Sequence, residues 1–588
     1  MVIKSSEKAS RLLDEISLDP ARLKKLYLSD YNDLAKEIRK RIIEVVAENG
    51  GHLAPNLGVV ELTLALASCL DLPKDEVIWD VGHQCYPWKL LSGRAKEFST
   101  IRKAGGISGF PKRMESPYDA FDTGHSATSI SAALGKVMVR QLRKEDNNIV
   151  AVIGDGALTG GLALEGLNHA GRLGSKFLVV LNDNTMSIDP NVGAFSRYLN
   201  KIRTEPFYRD SRDYARELIK SLPRVGNRLY NILARMEGSL KYLVVPGVVF
   251  EELGFTYLGP VDGHDLPLLQ ETFNEALQQD SKPVLVHVKT EKGKGYEPAE
   301  SNKPSFHGTG PFDKSNGKKH ESKGHPSYTE VFGKTVTQIA QEDERIVAIT
   351  AAMGKGTGLD GFCNAFPKRF FDVGIAEQHA VTFAAGMASS GYRPVVAMYS
   401  TFLQRAYDQI IHDVCLQNLG VSFAIDRAGL VGEDGPTHHG SFDLSFLRSI
   451  PNLTIMAPKD EAELQSMLLT AVEHEGPAAV RYPRGAAVGV ELQDEIEKIP
   501  IGKAQWLEKG EDICILALGS TVSMSLTALD SIKKAGYEPA LVNMRFVKPI
   551  DMELLKELAS MSCPILSVEE NALAGGMGSA VLEAFEEM

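Results

Sequence analysis

Two short apolar runs, 149–153 (IVAVI) and 177–181 (FLVVL), constrain this chain more than any other feature. The first leads directly into Gly154-Asp155-Gly156, the second into Asn182-Asp183-Asn184-Thr185-Met186. Residues 158–173 between them carry a helical pattern. Strand, crossover helix and strand form the unit of a parallel sheet. In open α/β sheets ligands collect at the carboxyl ends of the strands, and there Asp155 and Asn184 would meet. A carboxylate, an amide oxygen and a backbone carbonyl (that of Met186) suit an octahedral Mg²⁺ whose other positions are filled by phosphate oxygens and water. Gly154 and Gly156, with Ala157 beside them, let the backbone approach a diphosphate closely. A single such triplet would read as an acidic strand-to-helix turn. The second half, arriving after its own strand, points to a site.

The same alternation of strand-like and helical stretches runs along most of the chain, the pattern of an α/β protein. Leu34, Ile38, Ile42, Val45 and Val46 recur at helical spacing, and Gly50-Gly51 stops that helix. Further strand-like runs lie at 284–289, then at 346–350, 395–399, 421–425, 454–457 and 478–482, and then at 513–518, 540–544 and 565–568. A chain of 588 residues has room for several cores. The expectation is three doubly wound α/β domains with mainly parallel sheets: residues 1–315, 327–494 and 495–588. The first would include a charge-rich, mobile excursion at 187–245 over the active site. Residues 315–326, inside a stretch rich in Pro, Gly, Ser, Lys and His, would form a linker.

Composition narrows the function. A formal charge of −12 argues against nucleic acid or an anionic membrane as partner, so an anionic substrate must be held by local Arg, Lys or His. The six cysteines are scattered without a CxxC pair, as free thiols in a reducing compartment would be. The polar N-terminus and the lack of any eighteen-residue apolar run suggest a cytoplasmic protein.

The GDG triplet with its downstream asparagine turn resembles the motif of thiamine diphosphate enzymes, in which a metal pins the cofactor's diphosphate. That chemistry needs a carboxylic acid at hydrogen-bonding distance from the far nitrogen of the aminopyrimidine. A buried Glu whose pKa is raised by desolvation meets the need. Glu377, in VGIAEQH (373–379), is the candidate; a Glu exposed in the first turn of a helix would look the same. Phe402 suits stacking on the pyrimidine ring, and suits core packing equally well.

Seven stretches then act together: DVGHQ (80–84), GHSATSIS (124–131), the GDG and NDN pair, VGIAEQHAV (373–381), YSTFLQRAYDQ (399–409), DRAGLVGEDGPTHHG (426–440) and RYPRG (481–485). Jointly they resemble the 1-deoxy-D-xylulose-5-phosphate synthase family of transketolase-like thiamine diphosphate enzymes. The resemblance implies that pyruvate loses CO₂ and its remaining two-carbon unit joins D-glyceraldehyde 3-phosphate. The product, 1-deoxy-D-xylulose 5-phosphate, would feed isoprenoid, thiamine and pyridoxal synthesis. Thiamine diphosphate and Mg²⁺ are the implied cofactors, held between the first two domains of one chain in a homodimer. By the same resemblance His52 and His307 face the reacting carbons, with Glu377 and His438 as further catalytic groups. His83, Gly124, His125, Ser126, Ala127 and Lys292 lie near the cofactor. Tyr399, Arg405, Arg427, Asp434, His438 and Arg484 bind substrate.

Blander readings stand beside these. Any one histidine suits a hydrogen-bonded core position, Lys292 a solvated turn, and a single arginine a surface ion pair. Arg427, however, directly follows the buried-looking run VSFAI, where an unpaired charge is costly. His439 adjoins His438, so the two are hard to tell apart. Gly354-Lys-Gly-Thr-Gly358 has only part of a dinucleotide-loop spacing and reads as a turn. Relatives continue past Gly575-Gly-Met-Gly578 with another strand and helix, so the third domain is expected to be incomplete.

Transketolase is the nearest rival, and GHSATSIS, DRAG and Arg405 set the chain apart from it. A pyruvate dehydrogenase-type subunit fits less well, because both cofactor halves lie on one chain in this order. A catalytically silent scaffold would fail to bind thiamine diphosphate, and an NAD-dependent reductase would rest on glycine loops alone.

Overall fold

Strands built almost wholly of apolar residues have to be covered on both faces. The structure, a computed structural model, describes residues 2–187, 191–204, 247–319 and 324–588. It divides into two units, Met1–His320 and Glu321–Met588. In the first, β1 (Glu76–Trp79), β2 (Ile149–Gly154), β3 (Leu178–Asp183), β4 (Thr256–Asp262) and β5 (Val284–Lys289) form one parallel sheet in the order β1-β2-β3-β5-β4. Successive side chains point to opposite faces. Val150, Val152, Val180 and Val286 join a core with helices Leu28–Asn49, Val60–Cys69 and Leu266–Gln278. Ala151, Ile153, Val179 and Leu285 join another with helices Ser129–Arg143 and Gly161–Leu173.

The helix expected at 158–173 is in fact two pieces. A turn, Asp155–Leu158, comes first, and the helix Gly161–Leu173 follows an extended Gly160. The break keeps Asp155 at the strand end. Most of the excursion expected at 187–245 lies outside the described residues; its described part includes the helix Ala194–Thr204. Residues 320–323 of the expected linker also lie outside them.

The second unit contains β6 (Ile346–Thr350), β7 (Phe370–Asp372), β8 (Arg393–Tyr399), β9 (Ser422–Ala428), β10 (Thr454–Met456), β11 (Ala478–Pro483), β12 (Gln505–Glu508), β13 (Ile513–Ala517), β14 (Pro539–Asn543), β15 (Phe546–Lys548) and β16 (Ile565–Val568). Seven of them form a sheet in the order β15-β10-β11-β9-β8-β6-β7, parallel except at β15. The other four form a sheet in the order β12-β14-β13-β16, antiparallel only at β12. Alternation again feeds two cores. Ile349, Val396, Met398 and Ile425 face the helix Glu377–Ala388, while Ala348, Ala397, Ala424 and Val480 face the helices Tyr328–Glu342 and Glu461–Glu473. All six cysteines are free thiols, and no helix among the described residues is long and apolar enough to cross a membrane.

Two glycines test this packing. In the helix Gly161–Leu173, a Cβ added at Gly171 would fall 1.5 Å from the Leu253 carbonyl oxygen, whereas one at Gly135 meets open space. Gly171→Ala is expected to destabilise by more than about 2 kcal/mol, as overpacking does. Gly135→Ala, in the exposed interior of a helix, is expected to stabilise by roughly 0.5–1 kcal/mol. Thermal unfolding of the two variants should therefore move in opposite directions from the parent. Unchanged melting of Gly171→Ala would contradict the helix contact.

Candidate active site

Register assembles the first cluster. Gly154 of β2 pairs with Asn182 of β3, and Asp183 pairs with Lys289 of β5, so the turns after three neighbouring strands converge. Asp155 is buried; its Oδ2 accepts a hydrogen bond from Asn191 Nδ2 at 2.7 Å, while Oδ1 has no hydrogen-bond partner among the described residues. Burial, reinforced by the nearby Asp183 carboxylate and opposed by Lys292, holds Asp155 well above the usual carboxylate range. Asn184 Oδ1 accepts the Met186 N–H at 3.2 Å. The Met186 carbonyl accepts from Lys292 Nζ at 3.1 Å, and that ammonium also donates to the Ser187 carbonyl and lies 3.3 Å from His307 Nδ1. A Cβ on Gly156 would come 2.9 Å from Ser187 Cβ, so glycine permits this close approach. An unsatisfied buried carboxylate oxygen beside an amide oxygen and a backbone carbonyl fits a hard divalent cation bound together with phosphate.

Three histidines meet in the same unit. The helix Leu28–Asn49 ends at Gly50, whose φ of +72° is left-handed, and Gly51 then exchanges two backbone hydrogen bonds with Thr309, at 2.8 and 2.9 Å. This bridge brings the ring centroids of His52 and His307 to 5.9 Å; His83 lies 5.5 Å from the first and 5.1 Å from the second. Residues 304–312 lacked any sequence pattern, yet Phe306 and Phe312 are buried with ring centroids 5.3 Å apart and anchor the segment that carries His307. Burial first, then the neighbouring Lys292, His83 and His52, drive the His307 pKa well below its ordinary value, so its imidazole is neutral.

Sequence reasoning missed two supports of this cluster. Asn56 donates from Nδ2 to the His52 carbonyl at 2.6 Å and the His83 carbonyl at 2.8 Å, and its Oδ1 accepts the Tyr86 N–H at 2.8 Å. Asp80 accepts the Ala127 N–H at 2.7 Å and the Ser129 N–H at 3.0 Å. It thereby holds the turn of Gly124, His125, Ser126 and Ala127, the last with φ +67°. Asp80 opens the DVGHQ stretch, which was the available signal for it. Asn56 left none.

In the second unit the carboxyl ends of β8 and β9 gather the other candidates. Tyr399 pairs in register with Asp426. The Arg427 guanidinium lies 3.9 Å from the Tyr399 ring centroid, and its backbone has φ +60°. Such a conformation in a non-glycine persists only where its surroundings impose it. Phe402 stacks on Tyr399 at 5.7 Å, and His438 meets Phe402 edge-on at 5.6 Å. His438 Nδ1 lies 2.9 Å from Thr437 Oγ1, whereas His439 Nδ1 accepts the Val431 N–H at 3.1 Å. The two adjacent histidines thus have different surroundings. Burial pushes the Tyr399 hydroxyl up to about 12, with the charges of Arg427, Asp426, Arg484 and Asp434 all acting on it. Arg484 donates to Glu433 Oε2 and to the Val431 carbonyl, both at 2.7 Å.

Glu377 heads its helix but is only 4% exposed. Its Oε2 is 3.5 Å from Arg405 Nη1. Burial raises the Glu377 pKa, and Arg405 opposes the rise. The Gly354–Gly358 loop is a turn whose glycines serve packing: a Cβ on Gly356 would lie 2.5 Å from the Tyr399 hydroxyl, and one on Gly358 would lie 2.4 Å from the Thr329 carbonyl oxygen.

Residues 13–290 match the family model described as 1-deoxy-D-xylulose-5-phosphate synthase. Residues 325–488 match the transketolase pyrimidine-binding domain, and residues 502–588 the transketolase C-terminal domain. The chain is 56% identical to 1-deoxy-D-xylulose-5-phosphate synthase of Heliobacterium modesticaldum, over 98% of this chain and 89% of that protein. It is similarly 56% identical to 1-deoxy-D-xylulose-5-phosphate synthase 1 of Geobacter sulfurreducens, over 98% and 90%. With the synthase of Carboxydothermus hydrogenoformans the identity is 57%, over 98% and 92%.

Asp426 offers a test of these electrostatics. It is fully buried, with Oδ2 accepting from Thr329 Oγ1 at 2.7 Å, and burial pushes its carboxyl up to about 6 against the pull of Arg427. An acid raised in the folded state weakens the fold as it ionises. Its cost is absent below about pH 4 and grows until the pH passes about 6. At ~1.4 kcal/mol per pKa unit, Asp426→Asn is expected to gain roughly 2–3 kcal/mol at neutral pH and nothing near pH 4. Chemical denaturation at the two pH values measures the difference. A gain that does not depend on pH would rule out a buried charge as its cause.

Proposed function

The chain belongs to the 1-deoxy-D-xylulose-5-phosphate synthase family, and from that premise we propose how its two clusters serve the reaction. The enzyme is a thiamine diphosphate-dependent transferase of the transketolase type. It condenses pyruvate with D-glyceraldehyde 3-phosphate to 1-deoxy-D-xylulose 5-phosphate, releasing CO₂, in isoprenoid biosynthesis. Thiamine diphosphate, when bound, supplies the carbanion that makes decarboxylation and carbon–carbon bond formation possible.

The chain's own residues bind, orient and move protons. Asp155, Asn184 and the Met186 carbonyl would hold Mg²⁺, and the observation that most supports this is the unsatisfied Oδ1 of buried Asp155. Gly154, Gly156, Ala157 and the turn at 124–127 offer backbone to a diphosphate, with the Lys292 ammonium adding positive charge beside it. Burial raises the Glu377 pKa against the pull of Arg405, which favours a carboxyl that would share a proton with the far nitrogen of the aminopyrimidine, against which Phe402 would pack. His307 is held neutral, with Nδ1 facing the Lys292 ammonium at 3.3 Å, and His52 and His83 share its pocket, so the three rings are placed to orient a substrate by hydrogen bonds. Arg427 and Arg484 present planar forks suited to the substrate phosphate, and a phosphate would compete with Glu433 for Arg484. Tyr399, Arg405, Asp434 and His438 complete the substrate side. The working assembly is a homodimer of three-domain chains.

The test is an assay with pyruvate, D-glyceraldehyde 3-phosphate, thiamine diphosphate and Mg²⁺, following CO₂ and the product by mass spectrometry. Product should require every component. Glu377→Gln is expected to lower kcat by at least about 100-fold, the usual scale for a positioned acid. Arg427→Ala should raise KM for D-glyceraldehyde 3-phosphate by roughly 10–100-fold, the worth of a charged hydrogen bond, leaving that for pyruvate unchanged. Product from xylulose 5-phosphate in place of pyruvate would overturn the assignment in favour of two-carbon transfer.

A further inference from the structure

The turn that carries Lys292 is gripped on both sides by groups outside the clusters above. Arg39, in the helix Leu28–Asn49, forks onto Glu61 of the helix Val60–Cys69, with Nη1–Oε1 at 2.6 Å and Nη2–Oε2 at 2.7 Å. Its Nε donates to the Lys294 carbonyl at 3.0 Å. Glu61 Oε2 lies 3.0 Å from His264 Nδ1, and His264 Nε2 accepts the Glu291 N–H at 3.1 Å. That last bond fixes the tautomer: Nε2 is the acceptor, so the ring proton is on Nδ1 and faces Glu61. One connected group of side chains therefore reaches the backbone at 291 and at 294, on either side of Lys292. The turn is also closely seated. A Cβ on Gly58 would lie 2.8 Å from the Glu291 carbonyl oxygen, and the Gly293 N–H donates to the Ala54 carbonyl at 2.9 Å.

Burial alone would raise the Glu61 carboxyl, but its bonds to His264 and Arg39 win and hold it at about 2. It is thus an anion at any working pH. A largely buried ion pair such as Arg39–Glu61 adds little net stability over apolar packing, whereas fixed geometry is something apolar packing of flexible loops gives poorly. Lys292 is where such geometry matters. Its side chain has many rotamers to lose, it is 3% exposed, and its ammonium must meet the Met186 and Ser187 carbonyls together with His307.

We infer that Arg39, Glu61 and His264 are positioning residues that hold the turn at 291–294 so that Lys292 stays against the Met186–Ser187 carbonyls, preorganising the thiamine diphosphate site. The inference rests on the reading that Lys292 serves that cofactor. The three residues act through Lys292 and through backbone, not on substrate.

Calorimetric titration of the full chain with thiamine diphosphate at saturating Mg²⁺ tests it, using His264→Ala, Lys292→Ala and the double variant. His264→Ala spares the Arg39–Glu61 fork and is expected to keep the fold; Glu61→Gln is the second disruption, and the melting temperature of each cofactor-free variant is the control. Each single change is expected to weaken cofactor binding by about tenfold, the scale seen when an outer partner of a ligand site is lost. The double variant should bind no worse than the weaker single variant, because both changes act through one ammonium. KM for thiamine diphosphate should rise by a similar factor in His264→Ala while kcat at saturating cofactor changes little, a split that general loosening of the fold would not give. Losses that multiply in the double variant to about a hundredfold would overturn the inference, since independent sites add in free energy. Wild-type affinity in Lys292→Ala would instead overturn the reading of Lys292 itself, and the positioning role would fall with it.

Discussion

A carboxylate taken out of water must find donors, find a cation or keep its proton. This chain buries several, wholly or in large part, and each meets the demand in a different way. Asp80 accepts two backbone N–H groups and so becomes the anchor of the 124–129 turn. Glu61 is ringed by Arg39 and His264 and stays ionised. Glu377 has, among the described residues, only Arg405 at ion-pair distance, and burial raises its pKa. Asp155 retains an oxygen that no described group satisfies. The chemistry open to each acid follows from which solution its neighbours supply.

The same economy of backbone contacts joins segments far apart in sequence. The Gly51–Thr309 bridge brings His307 to His52, and one amide, that of Asn56, ties the backbones of His52 and His83 together. Both rely on rigid elements to deliver them. Gly50 ends a long helix in a left-handed conformation, and the buried pair Phe306 and Phe312 seats the far strand of the bridge. Packing fixes the loops, and the loops fix the rings.

How much of this was legible depended on how local the cause was. β2, β3 and β5 were visible because unbroken apolar runs fed turn residues directly, and a strand covered on both faces needs nothing else. β1 is four residues long with a glutamate at its start; β4 carries Gly259-Pro260 and a register shift between Leu258 and Val261; β15 is three residues long. Their strand character comes from neighbours, not from their own pattern. Among the candidate residues, the GDG and asparagine turns were legible for the same local reason. Asn56 reaches a carbonyl 27 residues away, and Arg39 one 255 residues away. Partners that are backbone atoms leave no trace in residue types. His438 and His439 could not be told apart until the Val431 N–H was seen to claim one of them.

The clearest contrast is between two neighbouring acids at the carboxyl ends of β2 and β3, Asp155 and Asp183. Asp183 Oδ2 lies 2.8 Å from His287 Nε2, whose Nδ1 is in turn 2.8 Å from the Tyr257 hydroxyl. Its Oδ1 accepts the Thr185 N–H at 3.1 Å. Both oxygens of Asp183 are therefore engaged with the protein, and its part is to shape the turn that presents Asn184. Asp155, also buried, has one oxygen engaged by Asn191 and the other without a hydrogen-bond partner among the described residues. Two carboxylates this close repel each other, which is one reason the Asp155 pKa rises. Holding a proton is one answer to that repulsion; a divalent cation, which would offset both charges and fill the remaining oxygen, would be another. The sharing of roles between the two acids thus follows their hydrogen bonds: the one already satisfied builds the turn, and the one left short among the described residues is the one proposed to hold a cation.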